Sequence, residues 1–494
     1  MERVSSILTS FPPDAGSNTG DKELDIAIRN YIKSVNGLGS DFKETVLSKP
    51  NQVLQLLDPS ANSIGSLAVV EILISALDPA SSASAAIERS VVLDAIVNFI
   101  LKFDSLQVRY VGSSLLALLE RIGMATLFSP LVSIELLAAA ILRIDPTGSM
   151  FTSTHLVLAN LAYSTALTGP AMPVIEHDLI HYPGTPHSRA AGPLCNASLP
   201  PAAYISTATG LTRDVKSTSV LEYNLATGLI YMLRRDWDNA RKAFERVVTH
   251  PNKGKGVSKL MTEAYKKWLL VGLLGNGQEP TLPPHTSHSV KTVCASLAAP
   301  YASIASLFGT PNAPELRAEV ESNSAVWEED GNGLLIREVL AAYQKWQIIN
   351  LRRVYSKIPL SRIQALTSSA ETGETLKNEE DVISLIQAMI TSHMLRGELH
   401  ISENGDEGFL EFQEDQTLST EENFAREIAQ SLHDVTRLAQ DYKLVSDRLS
   451  GNKEYVKHVI RELKRGDKEA ENPSGNFETQ IEDEDLMTGI IAHG

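Results

Sequence analysis

The amino-acid sequence predicts a mostly α-helical protein in which stacked helix pairs precede a small helix–hairpin module and one long terminal helix. Three observations support this prediction: apolar residues recur every third or fourth position, alternating strand-like runs are almost absent, and a single hairpin-like stretch stands near residue 400. With 494 residues, of which 43% are hydrophobic, the chain is long enough for two or three folded domains.

The composition disfavours several classes of protein. A formal net charge of −16 argues against broad binding to nucleic acid or to an anionic membrane. Cys195 and Cys294 are the only cysteines, too few for a disulfide framework, so we expect a reducing compartment. The N-terminus shows no signal-peptide pattern. The most apolar stretch, "PLVSIELLAAAILRI", is short and carries Glu135, which favours a buried helix over a membrane span.

The first elements are a lead segment and a helical arm. Residues 1–20 are rich in Ser, Gly, Pro and Asp and are predicted to be a flexible lead. Residues 21–330 are predicted to be an arm of helical repeats resembling tetratricopeptide repeats. Its helices are separated by breakers such as "DPSANS" and "DPASSAS", in which Asp-Pro and Ser favour turns and caps.

The clearest repeat is "LEYNLATGLIYMLRRDWDNARKAFERVV", residues 221–248, which predicts helices over 219–233 and 237–249 with Asp236 as N-cap. In a tetratricopeptide-type pair, small residues let the two backbones approach and large aromatic residues fill the remaining gap. These side chains are therefore predicted to be core and not a cofactor site. The predicted structural core of the repeat is Gly228, Tyr231, Trp237, Ala240 and Phe244.

Residues 331–415 are predicted to form a winged-helix module. A long helix and the short helix "PLSRIQALT" precede "NEEDVISLIQAMITSHMLRG", with Asn378 as cap and Gly397 just past the end. The stretch "ELHISENGDEGFLEF" is a β-hairpin candidate with Asn404-Gly405 in its turn. Three helices closed by a hairpin are typical of a winged helix.

Residues 418–465 are predicted to be one helix that packs in a bundle. Ile428, Val435, Tyr442 and Leu449 are spaced seven apart, as in a helix that buries one stripe against other helices. Residues 466–494 form an acidic tail that we expect to be disordered.

One histidine pair suggests a metal hydrolase. His177 and His181 are four apart, so on a helix they would share one face, as in a zinc-protease motif. That motif needs Glu directly after the first His as general base, and Asp178 stands there with a shorter arm. Pro183 would break the helix just past the second His. A surface or helix-terminus pair is therefore favoured, and no catalytic residue, metal or cofactor is predicted.

A winged helix also raises the hypothesis of nucleic-acid binding. The acidic cluster Glu379, Glu380 and Asp381 and the hairpin stretch "ENGDEG" are unfavourable next to phosphate. Association with proteins is favoured instead. A hairpin can leave one strand edge unpaired, and such an edge can bond to the backbone of a neighbour.

The order of repeat arm, winged helix and bundle helix resembles the PCI family, the scaffold subunits of the proteasome lid, the signalosome and an initiation-factor complex. Within it, the chain resembles the third-subunit branch of the COP-nine signalosome. The resemblance covers about residues 220 to 450. It rests on the repeat quoted above and on "EAYKKWLLVGLLGNG", "LPPHTS", "PELRAEVESNSAVWEEDGNGLL" and "NEEDVISLIQAMITSHMLRGELHISENGDEGFLEF".

The resemblance implies a non-catalytic scaffold in the cytoplasm and nucleus, within a complex that removes the ubiquitin-like modifier NEDD-eight from cullins and so regulates cullin-RING ubiquitin ligases. Its partners would be the other signalosome subunits, and neither nucleic acid nor membrane. A lid or initiation-factor subunit is the alternative. In the family, a zinc-binding His-x-His motif belongs to a different subunit, and this sequence has none.

The same resemblance implies two contact sites. The winged-helix contact would fall on Leu399, His400, Ile401, Phe409, Leu410 and Phe412. The bundle contact would fall on Phe424, Ile428, Leu432, Val435, Tyr442, Val445 and Leu449.

Overall fold

The computed structural model describes residues 2–11, 21–77, 88–183, 193–251, 257–401, 408–413, 421–453 and 455–461. Helices dominate these residues, and this confirms the predicted fold class. The chain divides into two compact units, Met1–Gln416 and Thr417–Gly494. The sequence predicts a domain boundary between residues 415 and 418.

The first part of the arm is a succession of short helices around one apolar core. They are α1 (Glu2–Leu8), α2 (Asp21–Asn36), α3 (Gly39–Ser48), α4 (Pro50–Gln55), α5 (Ser63–Ala76), α6 (Arg89–Lys102), α7 (Ser105–Val108), α8 (Gly112–Gly123), α9 (Pro130–Ile144) and α10 (Ser153–Ser164). A 3₁₀ turn, Gly169–Ala171, leads to α11 (Met172–Ile175) and α12 (Pro201–Tyr204).

The start of the chain corrects the expectation of a flexible lead over residues 1–20. Residues 2–8 form α1, whose Val4 and Leu8 are buried in the arm core. The Tyr31 hydroxyl and the Asn62 side-chain amide donate to the Leu8 carbonyl oxygen at 3.2 and 2.8 Å. These long-range bonds fix α1 to the arm. Residues 12–20 lie outside the described ranges.

The second part of the arm contains the predicted repeat. Its helices are α13 (Ser217–Leu233), α14 (Trp237–Val248), α15 (Lys259–Asn276), α16 (His288–Leu297), α17 (Ala299–Phe308), α18 (Ala313–Ser322) and α19 (Ser324–Glu329). The Asp236 carboxylate accepts a hydrogen bond from the backbone N–H of Asn239 at 3.2 Å, so α14 begins with the predicted cap.

The packing between α13 and α14 depends on the absence of a side chain at Gly228. A Cβ atom there would lie 2.5 Å from Cε1 of Phe244, so the Phe244 ring occupies the space that glycine leaves. Tyr231 and Ala240 are buried in the same core. Trp237 corrects the prediction, because it is only half-buried at the start of α14, where its Cβ faces the backbone of Gly275.

A short turn over residues 330–332 precedes the helix that leads from the arm into the winged-helix module. The helix α20 (Gly333–Leu351) serves both cores: Ile336 and Val339 pack in the arm, and Ile348 packs in the module. Near its C-terminal half, Trp346 donates from Nε1 to the Leu274 carbonyl oxygen at 3.2 Å. Its ring covers Gly277, which caps α15 with a positive φ of 66°.

The module has the element order of a winged helix. After α20 come β1 (Lys357–Pro359), α21 (Leu360–Leu366), α22 (Glu379–Thr391), β2 (Gly397–His400) and β3 (Phe409–Phe412). The strands form an antiparallel sheet in the order β1-β3-β2, with β3 in the centre. The sequence predicted the β2–β3 hairpin but not β1.

Two local predictions in the module are wrong. Asn378 precedes α22 but makes no capping bond to the helix backbone, and its Nδ2 donates instead to the Asp381 carboxylate at 3.3 Å. Gly397 does not end α22, since the helix stops at Thr391 and His393 takes the positive φ of 58°. The predicted turn at Asn404-Gly405 lies outside the described residues.

The second unit contains α23 (Glu421–Ser450), a single helix of 30 residues, and residues 455–461 are also helical. The predicted acidic tail, residues 466–494, falls outside the described residues. Of the helices described, none is both long and apolar enough to cross a bilayer alone. As a pair bent by 86°, His288–Leu297 and Ala299–Phe308 meet that criterion of length and composition.

Candidate partner-binding surfaces

The central strand of the winged-helix sheet cannot supply a free edge. In β3, Phe409 and Leu410 pair with Pro359 and Ile358 on one side and with β2 on the other. Leu410 and Phe412 are also buried in the core of the module. The prediction that this strand offers a contact edge is therefore wrong for Phe409, Leu410 and Phe412, because the unpredicted β1 occupies its second side.

Among the described residues, β2 is an edge strand that pairs with β3 alone. The N–H of Gln413 donates to the Arg396 carbonyl oxygen at 3.3 Å, which sets the phase of the hydrogen bonds between β2 and β3. Because antiparallel bonds alternate along a strand, Glu398 and His400 bond to β3. The backbone N–H and C=O groups of Gly397, Leu399 and Ile401 therefore point away from the sheet.

The sequence of the other edge strand, β1, makes it unsuitable for pairing with a further strand. It has three residues, one of which is Pro359, and α21 begins directly after it. Proline has no N–H to donate, so this edge is a poor template for another strand. On β2, Leu399 packs toward the core of the module, while Ile401 is 54% exposed. An incoming strand would meet the backbone of β2 and the side chain of Ile401.

On the outer face of the sheet, aromatic and charged side chains pair with one another within the chain. The rings of His400 and Phe409 are stacked with centroids 4.6 Å apart. The Lys357 ammonium lies 2.9 Å from the Glu411 carboxylate, and the Gln413 amide donates to Glu398 at 2.9 Å. His400 and Phe409 thus cover each other on this face, which leaves the backbone edge of β2 as the open feature.

The second candidate surface is the apolar stripe of α23, defined as Phe424, Ile428, Leu432, Val435, Leu438, Tyr442, Val445 and Leu449. Steps of three and four residues place these side chains along one face of a helix. From Phe424 to Tyr442 they are between 52% and 76% exposed, whereas Val445 and Leu449 are half-buried. Leu438 belongs to this stripe although the predicted contact set omitted it; the three-and-four spacing itself could have identified it.

An exposed apolar stripe of this length is unusual on a soluble monomer and is typical of a helix that packs in a bundle. The side chains are too large and too close together to be isolated surface residues. The stripe gives α23 the means to bind apolar helices of a partner, and it offers no nucleophile, acid–base pair or metal ligands.

The histidine pair does not have the geometry of a metalloprotease motif. α11 ends at Ile175, so His177 and His181 do not share a helix. His177 Nδ1 lies 2.7 Å from the Pro173 carbonyl oxygen. The backbone of His181 pairs with Met150. Within the described ranges, no group of three His, Cys, Asp or Glu side chains is placed to hold a metal ion.

Two buried ionisable groups, Cys294 and His155, have pKa values far from neutral pH. Burial raises the pKa of the Cys294 thiol to about 11, so the reactive thiolate is scarce. Burial, together with the nearby His177, lowers the pKa of His155 to about 3. The Thr152 hydroxyl lies 2.8 Å from Nδ1 of His155, and this ring caps α10. Both groups belong to the arm core.

Comparison with known proteins agrees with this architecture. Residues 30–290 match the family model described as COP9 signalosome complex subunit 3, N-terminal helical repeats. The chain is 37% identical, over an alignment of 507 positions that covers 100% of both chains, to COP9 signalosome complex subunit 3 of Neurospora crassa. It is 29% identical to the protein of the same name from Emericella nidulans over 394 positions, which cover 78% of each chain.

The family match covers most of the arm, and the Neurospora relative extends the similarity across the winged helix and α23. The predicted resemblance is thereby confirmed over a longer part of the chain than the motifs alone supported. The chain belongs to the COP9 signalosome subunit 3 family.

Proposed function

We propose that this chain is a non-catalytic scaffold subunit of the COP9 signalosome. In this role it supports assembly of the complex that removes NEDD-eight from cullins and so regulates cullin-RING ubiquitin ligases, in cytoplasm and nucleus. The names of the two relatives support membership of that complex. The alternative, a subunit of the proteasome lid or of an initiation-factor complex, has no such support.

The observation that carries the proposal is the exposed stripe of α23. Six of its large side chains, Phe424 to Tyr442, are more than half exposed on a helix of 30 residues. Leaving this much apolar surface in water is costly, at about 25 cal/mol for each Å². Packing against helices of other subunits would remove that surface from water and hold this chain in the complex.

The edge of β2 provides a second contact of a different kind. Its outward N–H and C=O groups would bond to a strand of a neighbouring subunit, which adds direction to the contact. The stripe would then supply most of the association free energy, and the sheet edge would set the order and orientation of neighbours.

The stripe can be tested by exchanging apolar for polar side chains of similar helix propensity. In one variant Val435, Leu438 and Tyr442 are each replaced by Gln. The matched control replaces Thr436, Lys443 and Asp447 by Gln, away from the stripe on the same helix. Each full-length chain is co-expressed with the remaining signalosome subunits and purified by a tag on this chain.

The proposal predicts that the stripe variant recovers few or no signalosome subunits, while the control recovers the full set. Mass spectrometry of the wild-type sample also identifies the complex to which the chain belongs. Recovery of proteasome-lid or initiation-factor subunits in place of signalosome subunits would favour the alternative. Full recovery with the stripe variant would contradict the scaffold role of α23.

The non-catalytic role has its own test. Because Cys294 and His181 belong to no catalytic arrangement, a complex assembled with Cys294→Ser or His181→Ala in this chain should cleave NEDD-eight from a cullin at the wild-type rate. A loss of activity in a fully assembled complex would place part of the chemistry in this subunit.

A further inference from the structure

The two flanks of the α23 stripe differ in charge. Glu427, Asp434 and Asp441 each stand one residue before a member of the stripe, and they are spaced seven residues apart. On the opposite flank, the same spacing leads from Leu432, itself a member of the stripe, to Ala439 and Ser446, and then to Lys453 beyond the helix end. Along the helix body, one flank is therefore acidic and the other is uncharged.

The geometry of α23 places the three acids in a row. The helix is continuous from Glu421 to Ser450, so residues seven apart recur on one face at about 10.5 Å intervals. Glu427 is exposed, and Asp434 and Asp441 retain partial exposure. Their carboxylates border the stripe for about four helical turns, within reach of a helix that packs on it.

We propose that the acidic flank selects the partner helix: it binds a helix of another polypeptide that carries Lys or Arg at three successive seven-residue intervals beside its own apolar stripe. The inference rests on the proposed scaffold function, which supplies the bundle. In packed helices, flanking positions of this kind pair with the opposite charge on the partner and decide which helices associate.

A second copy of this chain does not meet the requirement. In a parallel pair, Asp434 and Asp441 would face the uncharged Ala439 and Ser446 of the other copy. In an antiparallel pair that aligns the two acidic flanks, Asp434 would face Asp441 of the other copy, and like charges repel. The basic residues Arg437 and Lys443 lie elsewhere on the helix surface, away from the stripe, so they cannot supply the complementary row.

The test compares two variants of the full-length chain that change net charge equally. The flank variant is Glu427→Gln, Asp434→Asn and Asp441→Asn, which removes three carboxylates. The control is Thr436→Lys, Gln440→Lys and Asp447→Asn, which adds two ammonium groups and removes one carboxylate on the face away from both the stripe and the acidic flank. Both raise the formal charge by three. The probe is the subcomplex of the remaining signalosome subunits, titrated against each chain at low and high salt.

We expect the flank variant to bind about five- to tenfold more weakly than wild type at low salt, and the control to bind like wild type. Raising the salt from about 50 mM to 500 mM should weaken wild-type binding and leave the flank variant nearly unchanged, because salt screens the ion pairs. Equal affinity and equal salt dependence of wild type and flank variant would overturn the inference. Equal weakening of the control would overturn it too.

Two further outcomes separate this inference from the scaffold proposal. If the stripe variant with Gln at residues 435, 438 and 442 loses binding while the flank variant binds like wild type, only the charge selection fails. If the stripe variant binds like wild type, the scaffold proposal itself fails. Sedimentation of the isolated chain completes the test: a stable dimer that the stripe variant abolishes would identify a second copy as the occupant and overturn the inference.

Discussion

The repeat pair α13–α14 and the terminal helix α23 have similar apolar spacing but opposite environments. Phe244, in the repeat, is fully buried by residues of its own chain, whereas Tyr442, on α23, is 76% exposed. The repeat has a small residue, Gly228, that admits the ring of its neighbour. Helical periodicity thus identifies which face of a helix is apolar, and the structure shows whether the same chain covers it.

The winged-helix sheet shows the same contrast between two neighbouring strands. Within the part of the chain that the structure describes, β3 is bonded on both sides, by β1 and by β2, whereas β2 pairs with β3 alone. Regions that the chain completes itself should govern its unfolding. Regions with exposed apolar side chains or unpaired strand edges should govern association with partners. The following substitutions test this difference between the two kinds of region.

The largest effect is expected for Phe244→Ala. Removing this buried ring from between α13 and α14 should lower the free energy of unfolding by about 3–5 kcal/mol, from lost burial and the cavity left behind. The matched substitution Tyr442→Ala removes an aromatic ring from water and should change it by less than about 0.5 kcal/mol. Chemical denaturation followed by circular dichroism measures both. Similar losses in the two variants would contradict this difference between the two kinds of region.

Ile401→Pro should affect association and not unfolding. Proline removes an N–H that points away from the sheet, so the bonds between β2 and β3 remain. The Kd for the remaining signalosome subunits should rise at least about tenfold, with the unfolding midpoint near that of wild type. Ile401→Ala keeps the N–H and is the control. If it weakens binding as much as Pro does, the contact uses the side chain and not the backbone edge.

His155 makes the arm core sensitive to pH. Its pKa in the folded chain is about 3, below the ordinary value of 6.5, so the unfolded state binds the extra proton as the pH falls. The neutral, buried His155 ring therefore makes its full contribution to the free energy of unfolding above pH 6.5. It should decrease by about 1.4 kcal/mol for each pH unit from about 6.5 to 5.

In His155→Gln, the new side chain can still cap α10. The decrease in unfolding free energy that His155 causes between about pH 6.5 and 5 should be absent from this variant. His433→Gln, on exposed α23, should keep the wild-type slope. Urea denaturation at several pH values gives the slopes, and identical slopes in wild type and His155→Gln would refute the assignment.

The smallest effect compares two helix starts. Asp236 accepts a bond from the N–H of Asn239, so Asp236→Ala should cost about 1 kcal/mol of unfolding free energy. Asn378 makes no capping bond to α22, and Asn378→Ala should cost less than about 0.5 kcal/mol. Thermal unfolding distinguishes the two, and an equal loss at both sites would show that the Asn378 side chain caps α22 in solution.

Local patterns predicted much of this fold. The repeat pair followed from small and aromatic residues at fixed steps and from Asp236 before α14, all of which lie within 30 residues of each other. The long helix α23 followed from its seven-residue spacing. In these cases the physical determinant of the element is contained in the element or its immediate neighbour.

Elements that depend on distant partners were missed. β1 has three residues, too few for a period, and Pro359 was interpreted as the start of a helix. α1 depends on bonds from Tyr31 and Asn62, 23 and 54 residues away from Leu8. Trp237 is half-buried and packs against the arm core from the start of α14. Of the two candidate sites, the stripe of α23 could be predicted from the spacing of its residues. The open edge of β2 could not, because it becomes evident only once β1 is known to occupy the other side of β3.

The central proposal is that the exposed apolar stripe of α23 is covered by other subunits. Hydrogen exchange measured by mass spectrometry on the isolated full-length chain and on the assembled signalosome tests it directly. Peptides covering α13 and α14 should be protected in both samples, while peptides from residues 424–450 should exchange rapidly alone and slowly in the complex. Protection of residues 424–450 in the isolated monomer, unchanged on assembly, would contradict the proposal.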